Sequence, residues 1–231
     1  MSVPERHERF EMAVLDEFRK RRLLDHLVFG GGTMLRLCHQ MTRYSVDLDF
    51  FAKDDARDFG PDFERMVAAA GEIGLEVTDA AEKHFSWLVE LRSSAYPRRL
   101  KVEIRKGGER ARQREVGIAF SRFCSDLQVR LTVCSLAQMW TNKVEALCNR
   151  REIRDAYDLE FLLRRGAGRV NDLDRAVVVK IKKTLRSFSG QDFRSKLGSL
   201  LPAEERARLS AGGFTLLGGA VSQALADPVK P

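Results

Sequence analysis

Asp47 and Asp49 stand one residue apart in the stretch SVDLDFF. A strand alternates its side chains between two faces, so both carboxylates share one face while Val46, Leu48 and Phe50 share the other. Like charges held that close repel unless a cation sits between them or water screens them. Hard oxygen ligands of this type suit Mg²⁺, which is usually held by one or two carboxylates plus the phosphates of a substrate. A bare pair also fits a solvated strand face near a turn, so its neighbours decide its meaning.

Upstream lie Gly30, Gly31, Gly32 and Thr33. The glycines leave the backbone unencumbered, and Thr33 adds a hydroxyl where a helix begins. Backbone N–H groups at such a start form a ready phosphate cradle. The alternative is a plain turn capped by threonine. Downstream, RRLKVEIRK places Leu100, Val102 and Ile104 on one face of a predicted strand and Lys101, Glu103 and Arg105 on the other. If that strand neighbours 46–51, Glu103 becomes a third carboxylate of the group. Two acids then hold paired metals, and the third completes the shell or takes a proton from an attacking hydroxyl. In isolation Glu103 also fits a charged solvent face. Asp155 and Asp158 lie three apart, so a helix presents them on one face, with Arg154 in reach of Asp158. Charge pattern alone fits a surface helix laced with ion pairs.

Positioning these groups takes a particular run of elements. Apolar spacing predicts an amphipathic helix over 5–24, with Phe10, Met12, Val14, Leu15 and Phe18 among charges. TMLRLCHQM reads as a short helix starting at Thr33, VDLDFF as a strand entering a core, and 58–74 as a helix ending near Gly74. LEVTD, FSWLVEL, RRLKVEIRK and LQVRLTV read as strands, with SSAYP a turn and RKGGERARQ an exposed loop. After about residue 134 the texture is helical. One helix is capped by Ser135 and the next ends at Gly166, followed by further helical pieces. The expected fold class is α+β: a mixed sheet with flanking helices over 1–134 and a helical domain over 135–231.

The 231 residues are 44% hydrophobic and 32% charged, which supports a sizeable core in one large domain or two small ones. No apolar run approaches the roughly 18 residues that cross a bilayer. MSVPERHERF lacks an apolar stretch of signal-peptide type, so a cytoplasmic protein with no membrane partner is expected. Cys38, Cys124, Cys134 and Cys148 are scattered without a C-x-x-C pair, which suggests neither zinc nor disulfides. His7, His26, His39 and His84 read as surface or packing residues. The net charge of +7 favours polyanionic partners such as nucleic acid or nucleotides, though a merely basic surface also produces it. The basic stretches 18–22, 92–106 and 148–154 carry little aromatic interleaving, which favours recognition by shape and phosphate over stacking.

The motifs, taken in order, resemble those of the AbiEii/AbiGii-type nucleotidyltransferases, of the DNA polymerase β-type superfamily. The resemblance rests on Gly31-Gly32-Thr33-Met34-Leu35, then Arg43-Tyr44-Ser45-Val46-Asp47-Leu48-Asp49-Phe50, then Val102-Glu103-Ile104. It continues with Lys143 through Ala146-Leu147 to Arg150, and Arg154-Asp155-Ala156-Tyr157-Asp158-Leu159. The family includes toxins of type IV toxin–antitoxin and phage-abortive systems, and the related MenT toxins that add nucleotides to tRNA acceptor ends. The resemblance implies transfer of a nucleoside monophosphate from an NTP, with release of pyrophosphate, and a helical domain that completes the active-site cleft. By the same resemblance Gly31, Gly32 and Thr33 hold the triphosphate, and Asp47, Asp49 and Glu103 hold one Mg²⁺ ion or a pair. Lys143 meets the phosphates as a point charge, and Asp155 or Asp158 orients Lys143 or contacts the nucleotide, with Asp158 the first choice. The expected partners are RNA, chiefly tRNA, and a cognate antitoxin protein. The alternatives are the same chemistry on a protein hydroxyl or small molecule, or a noncatalytic RNA- or antitoxin-binding scaffold.

Overall fold

The computed structural model describes residues 1–53 and 58–227. The chain divides into two compact units, Met1–Ser135 and Leu136–Pro231. The first contains helices α1 (Val3–Lys20), α2 (Gly31–His39) and α3 (Gly60–Glu72). Its strands are β1 (Leu27–Gly30), β2 (Asp47–Ala52), β3 (Glu76–Glu82), β4 (Ser86–Arg92), β5 (Leu100–Arg105), β6 (Arg114–Phe120) and β7 (Gln128–Cys134). They form one mixed sheet in the order β3-β4-β5-β2-β1-β7-β6. β2 lies at its centre, antiparallel to β1 and parallel to β5.

Side-chain alternation explains the sheet. In β5, Leu100, Val102 and Ile104 are fully buried, and the polar residues between them are half-buried. β2 alternates through Phe50, then buries both faces through Phe51 and Ala52. α1 is closed at its start by the reciprocal Ser2–Glu5 capping box, and it buries Phe10, Leu15 and Phe18. It stops at Lys20, short of 24, where Arg22 turns with φ 59° and tucks Leu23 and Leu24 inward.

Two strands escape the sequence patterns. β1 is four residues, LVFG, too short to show a period. β6 lies in an edge position and leaves Val116 and Ile118 exposed, and the loop predicted just before it, RKGGERARQ, contains a 3₁₀ turn at Gly108–Ala111. α2 starts at Gly31, two residues before the expected Thr33.

The second unit comprises α4 (Leu136–Arg150), α5 (Ile153–Arg164), α6 (Arg175–Ser187), the single turn α7 (Gly190–Asp192), α8 (Ala203–Gly212) and α9 (Thr215–Ala226). Leu147, Ile153, Leu159, Leu162, Ile181, Leu197 and Leu217 are fully buried in it. α5 ends where Gly166, at φ 69°, lets Ala167 N–H reach back to the Leu162 carbonyl. Residues 203–226 are long and apolar enough, by length and composition, to span a bilayer, which the hydropathy reading did not anticipate. The stretch is not one rod: Gly213, at φ 61°, separates α8 from α9.

Candidate active site

Strand register assembles the carboxylates of the first unit. Asp49 pairs with Glu103 across β2 and β5, and Asp47 pairs with Lys101. On the other side Asp49 pairs with Gly30, the last residue before α2. Asp47, Asp49 and Glu103 therefore meet on one face of the central strands, beside the start of a helix. Lys101 stands among them, its Nζ 3.6 Å from Asp47 Oδ2 and 3.4 Å from Glu103 Oε2. Partial burial pulls the Lys101 ammonium down, but Asp47, Glu103 and Asp49 outweigh it and raise its pKa. Arg105 Nε adds a second cation 3.8 Å from Glu103 Oε1.

The glycines serve this geometry by leaving space. A methyl group at Gly31, whose φ of 71° already disfavours other residues, would overlap the Asp49 carboxylate. One at Gly32 would meet the Arg43 guanidinium and lie 2.9 Å from Ser45 Oγ. The first N–H groups of α2 have no intrahelical carbonyl to bond, so this end of the helix attracts anions. Thr33 is fully buried, and its hydroxyl donates to the Asp47 carbonyl at 2.5 Å. Its side chain fixes the start of β2.

Beneath this corner lies a polar cluster that motif reading missed. His7 Nε2–H donates to the Val46 carbonyl at 2.9 Å, and Glu11 lies 3.5 Å from the Thr33 hydroxyl. Glu11 is fully buried. Desolvation first, then the charges of Glu8 and Asp47, push its carboxyl well above the usual range, against the pull of Thr33 and Arg36. Glu8 accepts from Arg36 Nε at 2.8 Å and from the Ser121 hydroxyl at 2.6 Å. The signal was present: Glu11 is three and four residues from Val14 and Leu15, so an acid sits on the apolar stripe of α1.

The second unit holds the other predicted residues. Lys143, 7% exposed, lies 2.6 Å from Asp158 Oδ2 and 3.0 Å from Asp155 Oδ1. Both aspartates are fully buried, so neither belongs to a solvated helix face. Arg150 grips Asp155 with both arms, Nε to Oδ2 at 2.6 Å and Nη2 to Oδ1 at 2.7 Å. Burial alone would raise the Asp155 carboxyl, but Arg150 and Lys143 prevail and hold it at about 2. Each aspartate orients Lys143, and Asp155 is also tied to Arg150.

A mixed sheet whose central strands carry this carboxylate group beside a helix start defines a nucleotidyltransferase-type fold. The sequence pattern described as "Nucleotidyl transferase AbiEii toxin, Type IV TA system" matches residues 13–227, and the chain belongs to that family. It is thus a nucleotidyltransferase toxin of a type IV toxin–antitoxin system, a class that implies a cognate antitoxin, and family members generally use an NTP and a divalent metal. No curated protein sequence matches the chain. Among solved structures, JHP933 from Helicobacter pylori superposes with a TM-score of 0.55 at 17% identity, over 96% of this chain and 95% of that one. MenT4, nucleotidyltransferase toxin Rv2826c from Mycobacterium tuberculosis H37Rv, superposes with a TM-score of 0.50 at 22% identity, over 95% and 94%. At these identities the likeness is one of fold.

Proposed function

We propose that the protein transfers a nucleoside monophosphate from an NTP to an RNA acceptor, chiefly tRNA, with Mg²⁺ as its metal. The observation that carries this reading is the pairing of Asp49 with Glu103, beside Asp47 and against the start of α2. Among the described residues no group of three acids, imidazoles or thiols is gathered as a ready metal cage. The donor chemistry nevertheless fits a hard divalent ion, because all three groups are carboxylates and all are partly open to solvent. Asp47, Asp49 and Glu103 are the residues that would hold it. When bound, such an ion neutralises charge on the phosphates and lowers the cost of charge developing on pyrophosphate.

The rest is done by the chain itself. The main chain of Gly31, Gly32 and Thr33 binds the triphosphate, and the Thr33 hydroxyl holds the Asp47 backbone in register. In the second unit Asp158 and Asp155 hold Lys143 by two short ion pairs, and by the family resemblance Lys143 is the residue that would supply a positive charge to phosphates. Glu103, the third carboxylate, completes the metal's shell or accepts the proton of the attacking hydroxyl. The +7 charge supports a polyanionic acceptor, and an enzyme acting on tRNA works in the cytoplasm.

The test is incubation with each α-³²P-labelled NTP, Mg²⁺ and total tRNA, beside the Asp47→Ala/Asp49→Ala protein. Label entering tRNA only with the intact site is the expected result. Label on protein instead would move the acceptor and keep the chemistry, and no transfer to any acceptor would refute the reading.

A further inference from the structure

Among α4 to α9, α6 alone carries cations and no acid. Lys143, Arg150, Arg164 and Arg208 all pair with carboxylates. α6 holds five cations, Arg175, Lys180, Lys182, Lys183 and Arg186, and no acid. Val178, Ile181 and Thr184 face the core, so the helical period spreads the cations over the opposite arc. Lys180, Lys182, Lys183 and Arg186 make no ion pair with any described residue. Four like charges without internal partners on one helix face are matched by a polyanion outside it.

One edge of this arc borders a cavity of about 300 Å³. Lys182 and Arg186 line it together with Leu185, Phe193, Phe214 and Gly218. The rings of Phe193 and Phe214 lie 5.3 Å apart at 34°, and Phe188 stands edge-on to Phe214 at 6.3 Å. Gly218 leaves the wall open: a methyl group there would touch nothing within 4 Å. The size falls at the small end for ligand sites and suits one nucleotide rather than a folded segment. Flat apolar rings beside a lysine and an arginine complement the two halves of a nucleotide, a base and a phosphate. The linear sequence hides this pairing, because the rings come from 193 and 214 and the cations from 182 and 186.

We propose that this cavity takes one unstacked nucleotide of the RNA acceptor, its phosphate on Lys182 and Arg186 and its base against Phe193 and Phe214. The rest of the α6 face then follows the adjoining phosphates. This proposal rests on the reading of RNA as acceptor, and its test separates the two.

Binding of fluorescein-labelled tRNA to the full chain is followed by anisotropy across a salt series. Lys182→Gln/Arg186→Gln removes the phosphate half of the site. It should weaken binding about tenfold or more and flatten the log–log salt slope by about 0.7 for one single-stranded phosphate. Gly218→Leu plugs the cavity without removing a charge, and it replaces a helical glycine by a better helix former, so folding is not at stake. Loss of one stacked base should weaken RNA binding by about fivefold or more, with the salt slope unchanged. In the transfer assay both variants should raise the KM for tRNA and leave that for NTP alone.

Intact protein that binds tRNA while both variants bind it equally well would overturn the cavity and leave the RNA reading standing. Intact protein that binds no RNA would overturn both. A free nucleoside monophosphate that fills the site as tightly as tRNA would overturn the assignment to an RNA chain. Sedimentation with phosphatidylserine vesicles, lost in the same variants while tRNA binding persists, would assign the face to a membrane instead.

Discussion

The Asp155 carboxylate offers a sharp test of how the second unit is held together. Its pKa is held at about 2 against an ordinary 3.8, a difference worth roughly 2–3 kcal/mol of stability at neutral pH. Because the folded value is depressed, this contribution is present above pH 3.8 and is lost as the pH falls towards 2. Arg150 makes two of the three short contacts to the carboxylate, so Arg150→Gln should cost about 1.5 kcal/mol at pH 7. The same substitution should cost well under 1 kcal/mol near pH 2, where Asp155 is about half protonated even with Arg150 in place. Comparing the two proteins cancels the titration of every other carboxylate. Urea unfolding followed by tryptophan fluorescence in a Trp87→Phe background reads this unit alone, since the other tryptophan, Trp140, lies in α4. A stability gap between the two proteins that stays constant from pH 7 to pH 2 would refute the ion-pair account of Asp155.

Three further outcomes are expected. Gly31→Ala forces a left-handed φ on alanine and drives its methyl group into Asp49, so it should cost about 1–3 kcal/mol and abolish nucleotide transfer, by denaturation and by the labelling assay. Glu11 has a raised carboxyl, so wild-type stability should decline as pH climbs from 4.5 through the folded pKa. Glu11→Gln should remove that decline and be the more stable protein at pH 8, with equal slopes in both proteins counting against a buried neutral acid. Lys101→Met removes the ammonium that neutralises Asp47 and Glu103, so Mn²⁺ binding measured by electron paramagnetic resonance should tighten several-fold; unchanged affinity would mean the lysine does not compete with the ion.

Much of the first unit is legible because its chemistry coincides with a short period. The alternation in 46–50 and 100–105 predicts which side chains share a face, and the structure makes those two strands neighbours in matching register. No local pattern reports that adjacency, because parallel partners are chosen by the sheet as a whole. The role of the glycines was readable only in part. Their positions suggested a cradle, while the reason for two of them, room for Asp49 and Arg43, depends on contacts from β2 and the segment before it. In the second unit the spacing of Asp155 and Asp158 revealed a shared face, and burial decided that the face turns inward towards Lys143. β1 and β6 were lost to brevity and to an edge position.

The parallel pairing of β2 with β5 also governs when the three carboxylates can come together. Residues 47–51 emerge from a ribosome some fifty positions before their partners at 101–105, and β1 waits still longer for β7 at 128–134. Until those distant segments arrive, Asp47 and Asp49 belong to an unfinished sheet with no Glu103 beside them. Closing such long loops is slow compared with helix formation. A chain that ends before β5 therefore has no Glu103 beside the two aspartates, and the three carboxylates meet only once β5 has joined β2.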